Sequence, residues 1–276
     1  VNIYIKIGIN YINVQGGFMK KYVLGITVIF IFLILSSGCI FKNDREKFLD
    51  QIKENGSGNV IKESRDVSGF NVISFGDIFF VTNFIVQQGD KDSILIEAED
   101  NLMPHIITDF KTVNVTEPFL AIGYEADMPK PTKPINFYIT VKELNKLSIG
   151  GEGDVKVNDI NTKNFLISIG MANCSLNNIQ ADNLDIDLSG AARLYASGNV
   201  KNQDVKIFGN SIYQGENLES QQATVVISYG RKGGNATIKV KDILNAEIIG
   251  PGQIYYIGNP QVNQKISSEG KLTRIS

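Results

Sequence analysis

The chain has a single histidine, His105, so Ser-His-Asp relays, Cys-His relays and His-based metal triads have too few parts to assemble. It also lacks a charge of one dominant sign. Its 27 Lys and Arg nearly cancel 29 Asp and Glu, leaving a formal charge of −2 over 276 residues, which gives no long-range field for nucleic acid. Arg231-Lys232 and the Lys239, Lys241 pair are short runs of the kind found on solvated strand faces. Tryptophan is absent and there are only two cysteines, Cys39 and Cys174. Gly150-Gly151-Glu152-Gly153 is followed by no Lys-Ser or Lys-Thr and lies between strand-like segments, which excludes a phosphate loop.

What the chain has instead is repetition. From about Leu144 onward one pattern recurs at an interval of roughly 20 residues: an alternating apolar segment, two small or Gly positions around a spacer, and a second short apolar segment. The copies begin at Leu147, Phe165, Leu184, Val205, Val225 and Ala246, with a frayed one at Lys265. In Leu184-Asp185-Ile186-Asp187-Leu188-Ser189 the apolar residues alternate with polar ones, the period of a strand with one face inward and one face wet. Each copy is too short to bury its own apolar face, so the copies must stack, each giving one rung to a shared core. The expected fold class is all-β, with a C-terminal parallel β-helix or β-solenoid of about seven roughly 20-residue rungs over 144–276. The alternative is a β-sandwich with evenly spaced strands.

The N-terminus reads as an address. Met19-Lys20-Lys21 precedes an apolar run from Tyr22 to Leu35, then Ser36-Ser37-Gly38-Cys39. A basic start, a short apolar core and small residues before the cleavage point make a secretory signal, and the run is short for a membrane-crossing helix. Leu35-Ser36-Ser37-Gly38-Cys39 resembles a prokaryotic lipobox, which implies cleavage before Cys39, acylation of its sulfur and a lipid-held chain outside the cytoplasm. An uncleaved anchor helix is the alternative. Val1 to Phe18 fit no signal pattern, and a start at Met19 is expected. Residues 1–38 are therefore upstream sequence plus signal peptide, and 39–59 a tether ending in a flexible Gly56-Ser57-Gly58-Asn59 joint. With Cys39 lipidated, Cys174 has no intrachain partner and reads as a buried small hydrophobe.

Residues 60–143 form a strand-rich but irregular module. Strands are expected around Phe70–Ile73, Ile78–Gln88, Ser93–Ala98, Lys111–Thr116, Phe119–Tyr124 and Ile135–Val141. Gln88-Gly89-Asp90-Lys91-Asp92 predicts a hairpin turn joining the second and third. Asp100 to Ile107 predicts a short capped helix with Pro104 in its first turn. Asp127 to Pro134, with three prolines, predicts an extended loop at the seam before the solenoid.

Candidates for chemistry are sparse. Asp185 and Asp187 share the outward face of one strand, their Cα atoms roughly 6.7 Å apart, and paired carboxylates can serve glycoside hydrolysis. The rungs beside them are expected to offer Ser168, Lys206 and Ser228, with no stacked acid, so a solvated face is the simpler reading. Asp154, Asp159 and Asp182 match no calcium repeat. Tyr255 and Tyr256 should point to opposite faces, and the outward ring could stack on a sugar or pack on the tail.

Several blocks together resemble one family. Arg65 to Ile73, Gly76, Gln88-Gly89, Ser93 to Ala98 and Asp100-Asn101-Leu102 look like its opening, and Gly250-Pro251-Gly252-Gln253-Ile254-Tyr255-Tyr256-Ile257-Gly258-Asn259-Pro260 like its close. The family is the putative auto-transporter adhesin, head GIN domain family, and the resemblance spans about Val60 to Ser276. It implies an exported β-helix-like protein, often a lipoprotein, with no catalytic residues to carry over, and the residues themselves lead us to expect no metal or cofactor. Gly170-Met171-Ala172, Gly209-Asn210-Ser211 and Gly230-Arg231-Lys232 replace the second Gly of the repeat and put the evenness of those rungs in question. The expectation is an extracytoplasmic lipoprotein, held to a membrane by its lipid, that binds a surface glycan or protein or has an envelope structural role. The alternative is a β-helix polysaccharide lyase or hydrolase using Asp185 and Asp187.

Overall fold

The structure, a computed structural model, describes residues 3–7, 10–14, 52, 54–76, 82–111, 117–125, 127–228, 233–267 and 269–275. It divides into two units, Val1–Ser37 and Gly38–Ser276. In the first, strands β1 (Ile3–Ile7) and β2 (Asn10–Val14) pair antiparallel, as their β-branched alternation favours. The lipobox at Cys39 and the apolar run before it lie outside the described residues.

The second unit is built from β3 (Val60–Arg65), β4 (Val72–Phe75), β5 (Thr82–Gln88), β6 (Ser93–Glu99), the 3-10 turn η1 (Met103–His105), β7 (Ile106–Lys111), β8 (Phe119–Tyr124) and β9 (Ile135–Val141). There follow β10 (Lys146–Ile149), β11 (Asp154–Asn158), β12 (Asn161–Ile169), β13 (Asn173–Leu188), β14 (Arg193–Phe208), β15 (Ile212–Ser228), β16 (Asn235–Ile249), β17 (Gln253–Ile257), β18 (Gln261–Ile266) and β19 (Lys271–Arg274). The long strands β13 to β16 bend midway, so each serves two walls of the stack.

Successive rungs pair parallel and in register, which is the expected solenoid rather than a sandwich, with about 6 turns in place of the seven rungs expected. On the first wall one inward column runs Leu120, Ile73, Leu147, Ile167, Ile186, Val205, Val225, Ala246. All eight side chains are buried. Burying one such aliphatic side chain contributes about 1.5–3 kcal/mol, and a one-residue slip of any rung would turn its whole apolar set outward, so this column fixes the register. The second wall has a matching column of Phe137, Phe84, Val155, Cys174, Leu194, Tyr213, Ala236 and Ile254. Where the walls meet, the Phe84 ring stacks on Phe75 at 3.7 Å and on Phe137 at 4.9 Å between centroids.

The small residues of the repeat pattern have a steric cause. Gly150, Gly170, Gly190 and Gly209 lie one above another, and a Cβ on Gly190 (φ +65°) would sit 2.7 Å from the Gly170 carbonyl oxygen. The departures from Gly-x-Gly at Ala172 and Ser211 leave the rungs in register. Ala172 is fully buried, and Ser211 satisfies its hydroxyl by donating to the Ser189 carbonyl at 3.0 Å and accepting the Ala192 N–H at 3.1 Å. Residues 230–232, the third departure, lie outside the described residues.

The parallel stack extends back into the strand-rich segment. The β8–β9 rung comes first in space, the β4–β5 rung second and the β10–β11 rung third, so the proline loop 127–134 joins two strands of one rung. Three sequence expectations need correction here. The turn at 88–92 does not close a hairpin: β9 lies between β5 and β6, parallel to the first and antiparallel to the second. A local turn signal cannot say which strand inserts, and β9 alternates buried and half-buried residues along its whole length. The predicted helix shrinks to the three residues of η1, because Ile106 and Ile107 enter β7, which pairs antiparallel with β8. The 56–59 joint is held along its length: Gly56 N–H donates to the Lys130 carbonyl at 2.8 Å, Gly58 N–H to Glu99 Oε1 at 2.7 Å and Ser57 Oγ to Asp100.

Together β3, β6, η1 and β7 close the β8–β9 end of the stack. Arg65 of β3 anchors this cap, its guanidinium donating to the Met103 carbonyl at 2.9 Å, the Thr108 hydroxyl at 3.1 Å, the Ile106 carbonyl, and Glu63 at 2.8 Å. Leu102, Met103 and Met128 fill its interior.

Candidate functional surfaces

Because neighbouring rungs are in register, every outward position is repeated above and below itself, and side chains form rows along the stack. Asparagine fills several of these rows. Asn202 donates its amide to Asn183 Oδ1 at 2.8 Å, and Asn183 to Asn164 Oδ1 at 2.7 Å. Similar bonds join Asn177 to Asn158 at 2.9 Å, Asn263 to Asn245 at 2.9 Å and Asn83 to Asn136 at 2.8 Å. An amide both donates and accepts, so it can bond identical neighbours on both sides and fix its own orientation. The result is a flat, neutral, hydrogen-bonding surface. The recurrence of Asn at intervals of 19 residues, at Asn164, Asn183 and Asn202 and at Asn158 and Asn177, is the signal in the sequence that marks these rows.

On the second wall one outward row carries aromatic rings. Tyr195, Gln214, Thr237 and Tyr255 occupy successive rungs, and Ser175 and Lys156 continue the row in the other direction. Tyr195 is 46% exposed, among the most exposed large hydrophobic side chains of the described residues. Three rung steps separate it from Tyr255, about 14 Å at the usual strand spacing. Tyr256 turns inward against the core, so the expected alternation of the two tyrosines holds.

Asp185 and Asp187 do share the outward face of β13, on the first wall. Asp187 stacks between Ser168 and Lys206, as expected, but Asp185 stacks between Leu166 and Asp204, so a stacked acid is present after all. Burial lifts the Asp187 carboxyl, Lys206 pulls it back, and the Asp185 and Asp204 charges push it up again, leaving it above the usual carboxylate range. Lys206 Nζ stands 3.7 Å from Asp204 Oδ1. The result is an acid cluster interleaved with lysine on an open sheet face, and His105 belongs to the capped end.

The other candidates are occupied by structural bonds. Asp154 accepts from Asn173 at 3.1 Å, Asp159 from Asn178 at 2.7 Å, and Asp182 pairs with Lys201 at 2.6 Å, so these acids do not converge on a cation. Cys174 is buried in the inward column of the second wall, where desolvation pushes its thiol far above the ordinary value. The grouping that sequence reasoning missed is at the cap. His105 Nδ1 lies 3.2 Å from Glu125 Oε2 and 3.3 Å from Asp127 Oδ1. Residues 20 apart give no local signal; antiparallel pairing of β7 with β8 brings them together.

Solved structures share this architecture. The chain is 24% identical to a putative adhesin from Bacteroides fragilis, with 80% of this chain covering 99% of that one at a TM-score of 0.69. A putative adhesin and a putative lipid binding protein, both from Parabacteroides distasonis, match at 21% and 18% identity with TM-scores of 0.58 and 0.60, again over 80% of this chain and 99% of theirs. No curated protein matches it. The family profile of the putative auto-transporter adhesin, head GIN domain matches residues 69–260, most of the chain and nearly the whole β stack, so the protein belongs to that family.

Proposed function

We propose that the protein is an extracytoplasmic adhesin-like lipoprotein, tethered through Cys39, that binds a surface glycan or protein on the second wall of its solenoid. The observation that carries this reading is the outward row Tyr195, Gln214, Thr237, Tyr255, in which two rings flank amide and hydroxyl groups on a flat sheet. Tyrosine combines an apolar face with a polar tip at low conformational cost, and amides and hydroxyls serve both donors and acceptors of a sugar. The adhesin family to which the chain belongs supports a surface location and a binding role. Membrane attachment rests on the lipobox resemblance alone.

The reading assigns no catalysis to Asp185 and Asp187. Their face carries Lys206 and Ser168 in the same row, and a glycosidase needs its two carboxylates on opposite sides of a bound sugar rather than side by side on a plane. The test is a glycan and matrix-protein array probed with the full chain, with product analysis on each glycan bound. Binding without cleavage is expected. Release of shortened glycan, abolished in Asp185→Asn with Asp187→Asn, would replace this reading with the enzyme.

A further inference from the structure

The capped end of the stack holds one grouping that neither the fold nor a binding surface on the second wall accounts for. His105 ends η1 and Glu125 follows β8, and the Glu125 N–H donates to the His105 carbonyl at 3.0 Å, so the two backbones are locked side by side. The Met128 N–H donates to the Glu125 carbonyl at 3.2 Å, closing a turn that swings Asp127 back toward the imidazole. Both carboxylates end on the same ring atom, Nδ1, at 3.2 and 3.3 Å. Among the described residues this is the one group of three or more His, Cys, Asp or Glu side chains whose ligand atoms lie within 4.8 Å of one another.

Hydrogen bonding alone satisfies this arrangement poorly. Nδ1 carries at most one hydrogen whether the ring is neutral or protonated, so two carboxylate oxygens must share it. When Nδ1 is bare, three lone pairs face one another and call for a cation. The spacing fits one. Zinc takes imidazole nitrogen at about 2.0–2.1 Å and carboxylate oxygen at about 2.0–2.2 Å, which sets adjacent ligand atoms of a tetrahedron about 3.3–3.5 Å apart. Both distances from Nδ1 fall within a few tenths of an ångström of that edge.

We infer that His105, Glu125 and Asp127 form a divalent transition-metal site, with Zn²⁺ the ion its donors suit. One imidazole nitrogen and two carboxylate oxygens suit zinc better than calcium or magnesium, which take oxygen alone. Asp127 is 81% exposed and Glu125 52%, so water completes the coordination from the open side. The ion ties η1 to the turn after β8 and so staples the cap to the first rung. It is independent of the glycan or protein ligand proposed above.

The test uses the full chain without a polyhistidine tag, freed of metal by chelator and titrated with Zn²⁺ by calorimetry. One equivalent per chain is expected, with a Tm that rises as Zn²⁺ is added. His105→Ala, Glu125→Gln and Asp127→Asn should each weaken binding by about tenfold or more and abolish the Tm rise, while Asp185→Asn leaves both unchanged. In the presence of chelator the parent and these surface variants should unfold at similar temperatures, which separates loss of the ion from loss of the fold. No binding by the parent chain, or binding that survives His105→Ala, overturns the assignment.

Discussion

The Tyr213 hydroxyl donates to Gln203 Oε1 at 3.0 Å inside the solenoid core, across the space between the two walls. Gln203 passes the bond on, its Nε2 donating to Ser220 Oγ at 2.7 Å, and Ser220 donates to the Lys239 carbonyl at 3.1 Å. Tyr213 is fully buried and a Cβ on Gly215 would stand 2.5 Å from its hydroxyl oxygen, so the rung has been cleared for this ring. Tyr213→Phe keeps the ring but strands the Gln203 oxygen, and the expected loss is about 1–3 kcal/mol by urea unfolding. Adding Gln203→Leu to it should recover part of that loss, because the orphaned acceptor is then gone. A Tyr213→Phe protein as stable as the parent would show that the chain of hydrogen bonds contributes nothing.

Glu99 performs a similar role at the cap. It is 1% exposed, and its carboxylate accepts Gly58 N–H at 2.7 Å, Thr132 N–H at 2.8 Å, Lys133 N–H at 3.3 Å and the Thr132 hydroxyl. Burial raises its pKa, but these hydrogen bonds, the Thr132 ones foremost, bring it below the ordinary value. A depressed folded-state pKa means that the stabilisation is present above the unfolded value of about 4.3 and is lost as pH falls through the folded one. Glu99→Ala should cost about 1–3 kcal/mol at pH 7, with a smaller penalty under acid conditions where the parent carboxylate is protonated too. Proteolysis near residues 56–59 should also speed up in the variant, since that segment loses its anchor. A penalty that does not shrink in acid would refute the charged-acceptor account.

Asp187 has the opposite sign. Its folded-state pKa is raised, so its ionised form costs stability above that value and the cost disappears as pH falls through it. Asp187→Asn should therefore raise Tm at pH 7 and leave it nearly unchanged at pH 3. A catalytic role would couple that gain in stability to a loss of activity, and a role in binding a required cation would lower Tm instead. A lower Tm for the variant at pH 7 would contradict the burial and charge crowding assigned to this side chain.

The inward columns were legible because two periods coincide. Ile167, Ile186 and Val205 alternate with polar neighbours at period 2 within a strand and recur about every 20 residues between strands, and few folds besides a stack of rungs satisfy both. The order of the first three rungs was not legible. Nothing local in Ile135–Val141 says that it inserts between β5 and β6, since that is decided by which partner buries its Ile135, Phe137 and Ile139 face. Val60–Arg65 escaped notice because β3 pairs on an edge and is largely exposed, leaving no alternation to read. The His105 grouping was invisible for a related reason: its members meet through the β7–β8 register.

Cys39 gives a prediction that rests on sequence alone. In a bacterial host that processes lipoproteins, the parent chain should lose residues 1–38 and gain the mass of a lipidated N-terminal cysteine. Cys39→Ser should carry no lipid: an uncleaved chain stays in the membrane fraction through its apolar run, and a chain cut elsewhere is released on mild detergent-free washing. Intact mass spectrometry of the membrane fraction distinguishes these outcomes, and an unmodified, uncleaved parent chain would remove the lipid tether from the account.

Binding on the second wall is the central claim, and it is tested most directly by measuring affinity for whichever array ligand the parent chain captures after Tyr195→Ala and Tyr255→Ala are introduced singly and together. Both rings lie on the outward face, Tyr195 exposed and Tyr255 half-buried, so Tyr195→Ala should leave the unfolding midpoint nearly unchanged and Tyr255→Ala should lower it only modestly. Each single change is expected to weaken binding by about 5- to 150-fold, the equivalent of about 1–3 kcal/mol for an aromatic ring that stacks on a ligand, and the pair should abolish it. A double variant that is folded and binds as tightly as the parent would contradict the claim that this row of side chains is where the protein meets its ligand.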